Sequence, residues 1–355
     1  MATVPPKVYV NDQQQDMLEA WVEGGYCGLA RALLEMETNY SVNINHSRIV
    51  NQAQYMPHAV ILLSQLNSDL IHSLLQNRLI EDIKNNTIAL SSRFTISLAP
   101  QADDDIASGH YVNYLLDPQG HGLTVDEYEE FVEGMVACIE NRLMQSHRQG
   151  FDIDQAATAY FHSHTSRLVS EIPEMRQSCT NRNNLQTFKN SQADLIARAK
   201  AQNATEIRPC GEVGWARNVH DRVRQHEELD ASANFFRMAR CVLNALWPNK
   251  QIMLHSVYLF QVFNVEAAEY GESMATHLAG GYPAYGGFNY VQAGMHIASA
   301  MKQTHQQWRK MARENTRTQN IMENNMQLEI EELTERIKKL EVSLGCANAL
   351  TISNV

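Results

Sequence analysis

Residues 211–227, GEVGWARNVHDRVRQHE, restrict what this chain can fold into more than any other stretch. Gly214 stands where a strand would turn out of a sheet. Arg222 follows eight positions later and His226 twelve positions later. A helix opening near Asn218 puts Arg222 and His226 one turn apart on one face. Val219 and Val223 are assigned to the opposite, buried side. A guanidinium and an imidazole presented together suit the recognition and cleavage of a phosphodiester. The first makes charge-assisted bonds to phosphate oxygens and the second moves protons near neutral pH. The same residues also describe an amphipathic surface helix whose Arg and His are merely solvated.

The flanking sequence reads as α+β. Residues 13–37 place Met17, Leu18, Trp21, Val22, Leu29, Leu33 and Leu34 at helical spacing, with Gly24 and Gly25 expected to kink or split the helix. Residues 57–85 repeat apolar positions from Val60 to Ile80 as one helical pattern. Residues 87–99 alternate Phe94, Ile96 and Leu98 with polar neighbours, a β-prone run. Asp103, Asp104 and Asp105 lack the alternate spacing of a Ca²⁺ loop and read as a solvated turn. Thr124 and Glu127 form a capping box that starts a helix. A further helix covers residues 153–171, and the spacing of His162 and His164 points their rings apart. Residues 172–210 are the least apolar part, with a short helix over 185–200. Residues 231–246 are an apolar helix ended by Pro248, and residues 251–264 are the clearest strand. Residues 291–345 read as helical throughout. From Met326 the apolar positions run Met326, Ile330, Leu333, Ile337, Leu340 and Leu344, a heptad seam.

The 211–227 segment resembles the second half of the GIY-YIG nuclease signature. Gly214 matches the motif glycine, Asn218 the turn residue, Arg222 the arginine and His226 the downstream histidine. Residues 267–289, AAEYGESMATHLAGGYPAYGGFN, resemble the family's closing half, with Glu272 at the metal-binding glutamate and Asn289 at the asparagine; Glu269 is the fallback ligand. The resemblance implies a small α/β domain that hydrolyses DNA phosphodiesters with Mg²⁺ or Mn²⁺ held by Glu272. Arg222 and His226 would be catalytic, and Gly214, Asn218 and Asn289 would serve substrate binding. Two departures stand out. Glu212 occupies the tyrosine position of the second triplet, and no Gly-Ile-Tyr occurs in KAQNATEIRPC (residues 200–210). Either an insertion displaces the first strand, or the fold is kept as an interaction module without cleavage. Tyr282 and Tyr285 are the substitutes at hand for the missing tyrosines.

The expected layout is an acidic, mainly helical domain over 1–172 and a polar linker with a short helix over 173–204. A GIY-YIG-like domain over 205–300, a coiled-coil helix over 301–345 and a flexible tail over 346–355 follow. Charge separates the first region from the rest. Of a net charge of -11, residues 1–150 contribute all, with 8 Lys and Arg against 19 Asp and Glu. A local basic face is available from Arg208, Arg217, Arg222, Arg224, Arg237 and Arg240, so DNA is the partner the resemblance implies and the acidic balance argues against tight binding. The seam over 326–344 predicts a homo-oligomer. The 44% hydrophobic composition includes no run of 18 apolar residues, which predicts no membrane span. The N-terminus lacks the basic and apolar regions of a secretory signal, and the six cysteines form no Cys-x-x-Cys pair. An intracellular protein, nuclear or cytoplasmic, is expected.

Overall fold

The computed structural model describes residues 6–43, 51–88, 108–141, 152–164, 172–180, 184–208, 210–230, 233–290, 293–294, 298–316 and 319–352. Helices α1 (Asp12–Asn43), α2 (Gln52–Leu63), α3 (Ser68–Leu75) and α4 (Leu79–Lys84) come first. Strands β1 (Gly109–Leu116) and β2 (Leu123–Thr124) lead into α5 (Val125–Ile139), α6 (Ile153–His164), α7 (Ile172–Thr180) and α8 (Asn184–Ala201). Then come β3 (Glu206–Ile207), β4 (Cys210–Ala216), α9 (Val219–Glu227), α10 (Asn234–Leu246), β5 (Met253–Gln261) and α11 (Val265–Leu278). The chain closes with α12 (Ala298–Met301), α13 (His305–Thr316) and α14 (Gln319–Ile352). The class is α+β, as expected. No helix among the described residues is long and apolar enough to cross a membrane.

The sheet order is β4-β1-β5, with both pairings antiparallel. All eight residues of β1 are buried. One apolar core joins the sheet to α1, α2, α3, α9 and α11, and a second joins α5, α6, α7, α8 and α10 around Leu115 and Leu254. The short β2–β3 ribbon pairs Leu123 with Ile207 and Thr124 with Glu206. Beside it Arg208 is buried between Glu206, at 2.5 Å, and Glu81 of α4, at 2.9 Å.

Several expectations hold locally. Thr124 and Glu127 form the capping box of α5, with the Glu127 N–H 3.3 Å from Thr124 Oγ1 and the Thr124 N–H 2.9 Å from Glu127 Oε2. Gly25 breaks α1 with φ 56°, and the Tyr26 N–H freed by that break donates to Glu329 of α14 at 2.9 Å. The apolar helix and strand around Pro248 are α10 and β5.

Other expectations are corrected. The pattern over 57–85 is three helices, because Asn67 caps α3 through the Leu70 N–H and Asn77 adopts a positive φ of 56°. The expected tail over 346–355 is helical as far as Ile352, in keeping with its Ala and Leu content. The segment over 205–300 does not close its own sheet: β4 and β5 each bond to β1, which comes from residues 109–116. A boundary after residue 172 therefore divides one sheet. Most of the β-prone run over 87–99, the aspartates at 103–105 and the end of the helix over 153–171 fall outside the described residues.

Candidate active site

Antiparallel pairing sets Tyr111 of β1 opposite Gly214 of β4. The phenol lies over the glycine so closely that an added Cβ would stand 2.5 Å from the Tyr111 hydroxyl. Glycine is thus required by the ring it admits. Beyond it the hydroxyl reaches His226 Nε2 of α9 at 2.8 Å.

Helix α9 starts at Asn218, whose Oδ1 accepts the Asp221 N–H at 3.3 Å and whose Nδ2 donates to Asp221 Oδ2 at 2.8 Å. Both polar atoms of Asn218 thus serve the helix start. His226 is fully buried, in one stripe with Val219 and Val223. The assignment of the two valines to the face opposite His226 is corrected. At about 100° per residue, positions 219, 222, 223 and 226 all fall within an arc of about 100°. Arg222, at the edge of that arc, is half-buried and donates to Gln225 at 3.3 Å.

Burial depresses the His226 pKa to about 3, and the positive charges of Arg222 and Arg240 act in the same direction. The imidazole is therefore neutral near pH 7. Glu212 Oε2 lies 3.4 Å from its Nδ1, a contact between a carboxylate and a neutral ring rather than an ion pair. The other oxygen, Oε1, accepts the Ala233 N–H at the start of α10 at 3.2 Å. Tyr111 has its pKa raised, chiefly by burial and then by the Glu212 charge, while Arg222 opposes the shift and Glu272 adds to it. Tyr111, Glu212, Arg222, His226 and Glu272 form one electrostatic group.

Glu272 reaches this group on α11, capped by Asn264 through the Ala267 N–H at 2.6 Å. Its half-buried carboxylate is oriented by the Gly294 N–H, 2.9 Å from Oε2. One residue earlier, Gly271 admits the buried His110 ring of β1, whose Nε2 bonds to the Ala268 carbonyl at 2.9 Å. Consecutive residues of β1, His110 and Tyr111, thus dock α11 and α9. Asn289 spends both ends of its amide on Val213: Oδ1 accepts the N–H at 2.9 Å and Nδ2 donates to the carbonyl at 2.8 Å. It holds β4 as a strand partner would.

Among the six predicted residues, Arg222, His226 and Glu272 converge. Gly214 makes room for Tyr111, and Asn218 and Asn289 brace the frame. Tyr282 and Tyr285 gather instead around His277, which with Ser273 bonds to the buried Glu37 of α1 at 3.1 and 2.5 Å. Glu269 is half-buried on the same helix as Glu272. The basic face is smaller than its arginine count. Arg208 is buried between carboxylates, Arg240 bonds to the carbonyls of His226 and Glu227, and Arg224 pairs with Asp221. The residue missed from sequence is Tyr111, and the available signal was the Gly-x-Tyr of Gly109-His110-Tyr111.

Among the described residues no three His, Cys, Asp or Glu side chains are grouped to hold a metal ion. A single oriented carboxylate such as Glu272 suits Mg²⁺ or Mn²⁺, hard ions that take oxygen ligands and retain several waters. Comparison of the chain with protein-family models, with curated proteins and with solved structures finds no match.

Proposed function

We propose that this site hydrolyses a DNA phosphodiester as a diverged GIY-YIG-like nuclease. One observation carries the reading: β1 delivers the Tyr111 hydroxyl to His226 beside Gly214, Arg222 and Glu272. The first triplet then reads Gly109-His110-Tyr111, and residues 117–209 are an insertion between it and Glu212-Val213-Gly214. The layout follows: a mainly helical region that also lends β1, a nuclease-like unit around 205–300, and the C-terminal helix.

Each residue has a role set by its surroundings. Tyr111 orients the attacking water and takes its proton, while His226 Nε2 takes the tyrosine proton. Arg222 stands where negative charge grows on the phosphate oxygens, and a guanidinium there favours the transition state over the ground state. Glu272 would hold Mg²⁺ or Mn²⁺, which supplies Lewis-acid stabilisation of the phosphoryl oxygens when bound. Asn218, Asn289 and Gly214 keep α9, β4 and the phenol in register.

A second reading keeps the fold as a self-associating interaction module. It is favoured by the seam of α14, where Met326, Ile330, Ile337 and Leu340 are 40–57% exposed. Plasmid and branched-DNA cleavage with Mg²⁺ or Mn²⁺ separates the two. The native chain should nick DNA, and Arg222→Ala, Glu272→Ala and Tyr111→Phe should each slow it by about 10²–10³-fold. Cleavage indifferent to all three substitutions refutes the assignment. A native chain that cleaves nothing, with all variants folded, leaves the interaction module.

A further inference from the structure

We infer that Glu212 is a positioning residue: its carboxylate holds His226 as the Nδ1–H tautomer, leaving Nε2 to accept the Tyr111 proton. The inference rests on the nuclease reading for its consequence in cleavage, but the tautomer is a property of the folded chain alone.

The geometry permits one consistent proton arrangement. An ionised carboxylate has acceptors only, and Glu212 Oε2 faces Nδ1 at 3.4 Å. With the proton on Nδ1, the ring offers a donor to Glu212 and a lone pair to Tyr111. The phenol O–H then donates to Nε2 across 2.8 Å. With the proton on Nε2 instead, a ring lone pair would confront the carboxylate in a site where His226 is fully buried. Such opposed lone pairs are costly where water cannot intervene.

Glu212 is itself held. Its Oε1 accepts the Ala233 N–H, and Ala233 occupies the N-cap of α10 with no side-chain cap of its own. A carboxylate at a helix start also meets the positive end of the helix dipole. The three side chains come from β1, β4 and α9, so the alignment depends on the sheet rather than on one segment.

The resulting relay balances. As the water oxygen bonds to phosphorus, its proton passes to the Tyr111 oxygen, and the Tyr111 proton passes to His226 Nε2. The bond from phosphorus to the leaving oxygen breaks, and that oxygen takes a proton from solvent water. The imidazolium formed is countered by Glu212, and the proton later returns to solvent. A carboxylate that orients a neutral imidazole toward a hydroxyl is the logic of nucleophile–base–orienter sites. It gives Glu212 a task at the position where the resembling family carries tyrosine.

The test uses the full chain with ¹⁵N-labelled histidine, His226 being assigned by its loss in His226→Gln. The native protein should show a neutral ring with protonated Nδ1 and bare Nε2 at pH 7. Glu212→Gln can turn its amide N–H toward Nδ1 and should move the proton to Nε2. In the cleavage assay it should lower kcat at least 10²-fold with KM unchanged, and Glu212→Asp should restore part of the loss. Circular dichroism checks that both variants fold. A native ring protonated on Nε2 overturns the inference, as does a Glu212→Gln chain that switches tautomer and cleaves normally. A native chain that shows the Nδ1–H tautomer but cleaves nothing retires the nuclease reading and leaves the Glu212 assignment standing.

Discussion

Gly271→Ala sets two opposed effects against each other. In a helix interior, alanine is favoured over glycine by about 1 kcal/mol, so propensity alone predicts a more stable protein. At Gly271, however, a new Cβ would stand 2.4 Å from His110 Cε1 and 2.7 Å from its Nδ1. Both distances are well inside van der Waals contact. The ring is fully buried and tied to the Ala268 carbonyl at 2.9 Å, so it has no free direction of retreat. Overpacking costs about 1–3 kcal/mol, and a broken buried hydrogen bond costs roughly another 1–3 kcal/mol. The steric effects win, and the net loss should be about 1–5 kcal/mol. Urea unfolding followed by circular dichroism measures it as a lower midpoint at unchanged slope. Gly24→Ala is the internal control, since nothing lies within 4 Å of an added Cβ there. It should leave the midpoint unchanged or raise it. A midpoint raised by Gly271→Ala would refute the close docking of β1 on α11, and with it the placement of Glu272.

Two further outcomes follow from burial and exposure. His226 and His110 have folded pKa values lowered to about 3 and about 4, in both cases chiefly by burial. Below pH 6.5 the unfolded chain therefore binds more protons than the folded one, and stability falls as pH drops toward those values. The slope is about 1.4 kcal/mol per pH unit for each ring within its window. His226→Gln should flatten the fall in urea midpoint between pH 6 and 4, and an unaltered slope would show that the ring is not buried as a neutral group. On α14, Ile330→Glu with Ile337→Glu should abolish self-association in analytical ultracentrifugation, because both side chains are more than half exposed on the seam. A native chain that is monomeric at tens of micromolar would sink that expectation.

The parts legible in the sequence are those whose causes are local. A capping box needs only Thr124 and Glu127, three residues apart. The break in α1 needs only Gly25, and α9 needs Asn218 and a short apolar stripe. The long helix expected over 57–85 failed for a local cause as well: Asn67 and Asn77 interrupt a pattern whose apolar spacing continues across them. Strand β1 was missed for a different reason. Every residue of GHYVNYLL is buried, so it shows none of the alternation that marks a strand with one wet face. Its polar residues, His110 and Asn113, further disguise it.

The site was half-visible for the same reason. Arg222, His226 and Glu272 lie on helices that their own segments specify, so spacing within residues 211–289 brings them into view. Tyr111 joins them only through pairing with a strand about a hundred residues downstream, and no spacing rule within one segment reports that. Yet the pairing leaves a mark at both ends. Gly214 and Gly271 are the two positions where β1 side chains press against backbone, Tyr111 on the first and His110 on the second. Neither glycine has the positive φ of a turn. A glycine inside a strand or helix, where it costs stability, calls for a side chain from elsewhere to fill the missing Cβ. Two such glycines, one before Arg222 and one beside Glu272, call for two bulky residues placed next to each other on a third element. The dipeptide His110-Tyr111 supplies them, and that is why the strand at 109–116, rather than the segment carrying the motif, fixes the distance between the arginine and the glutamate.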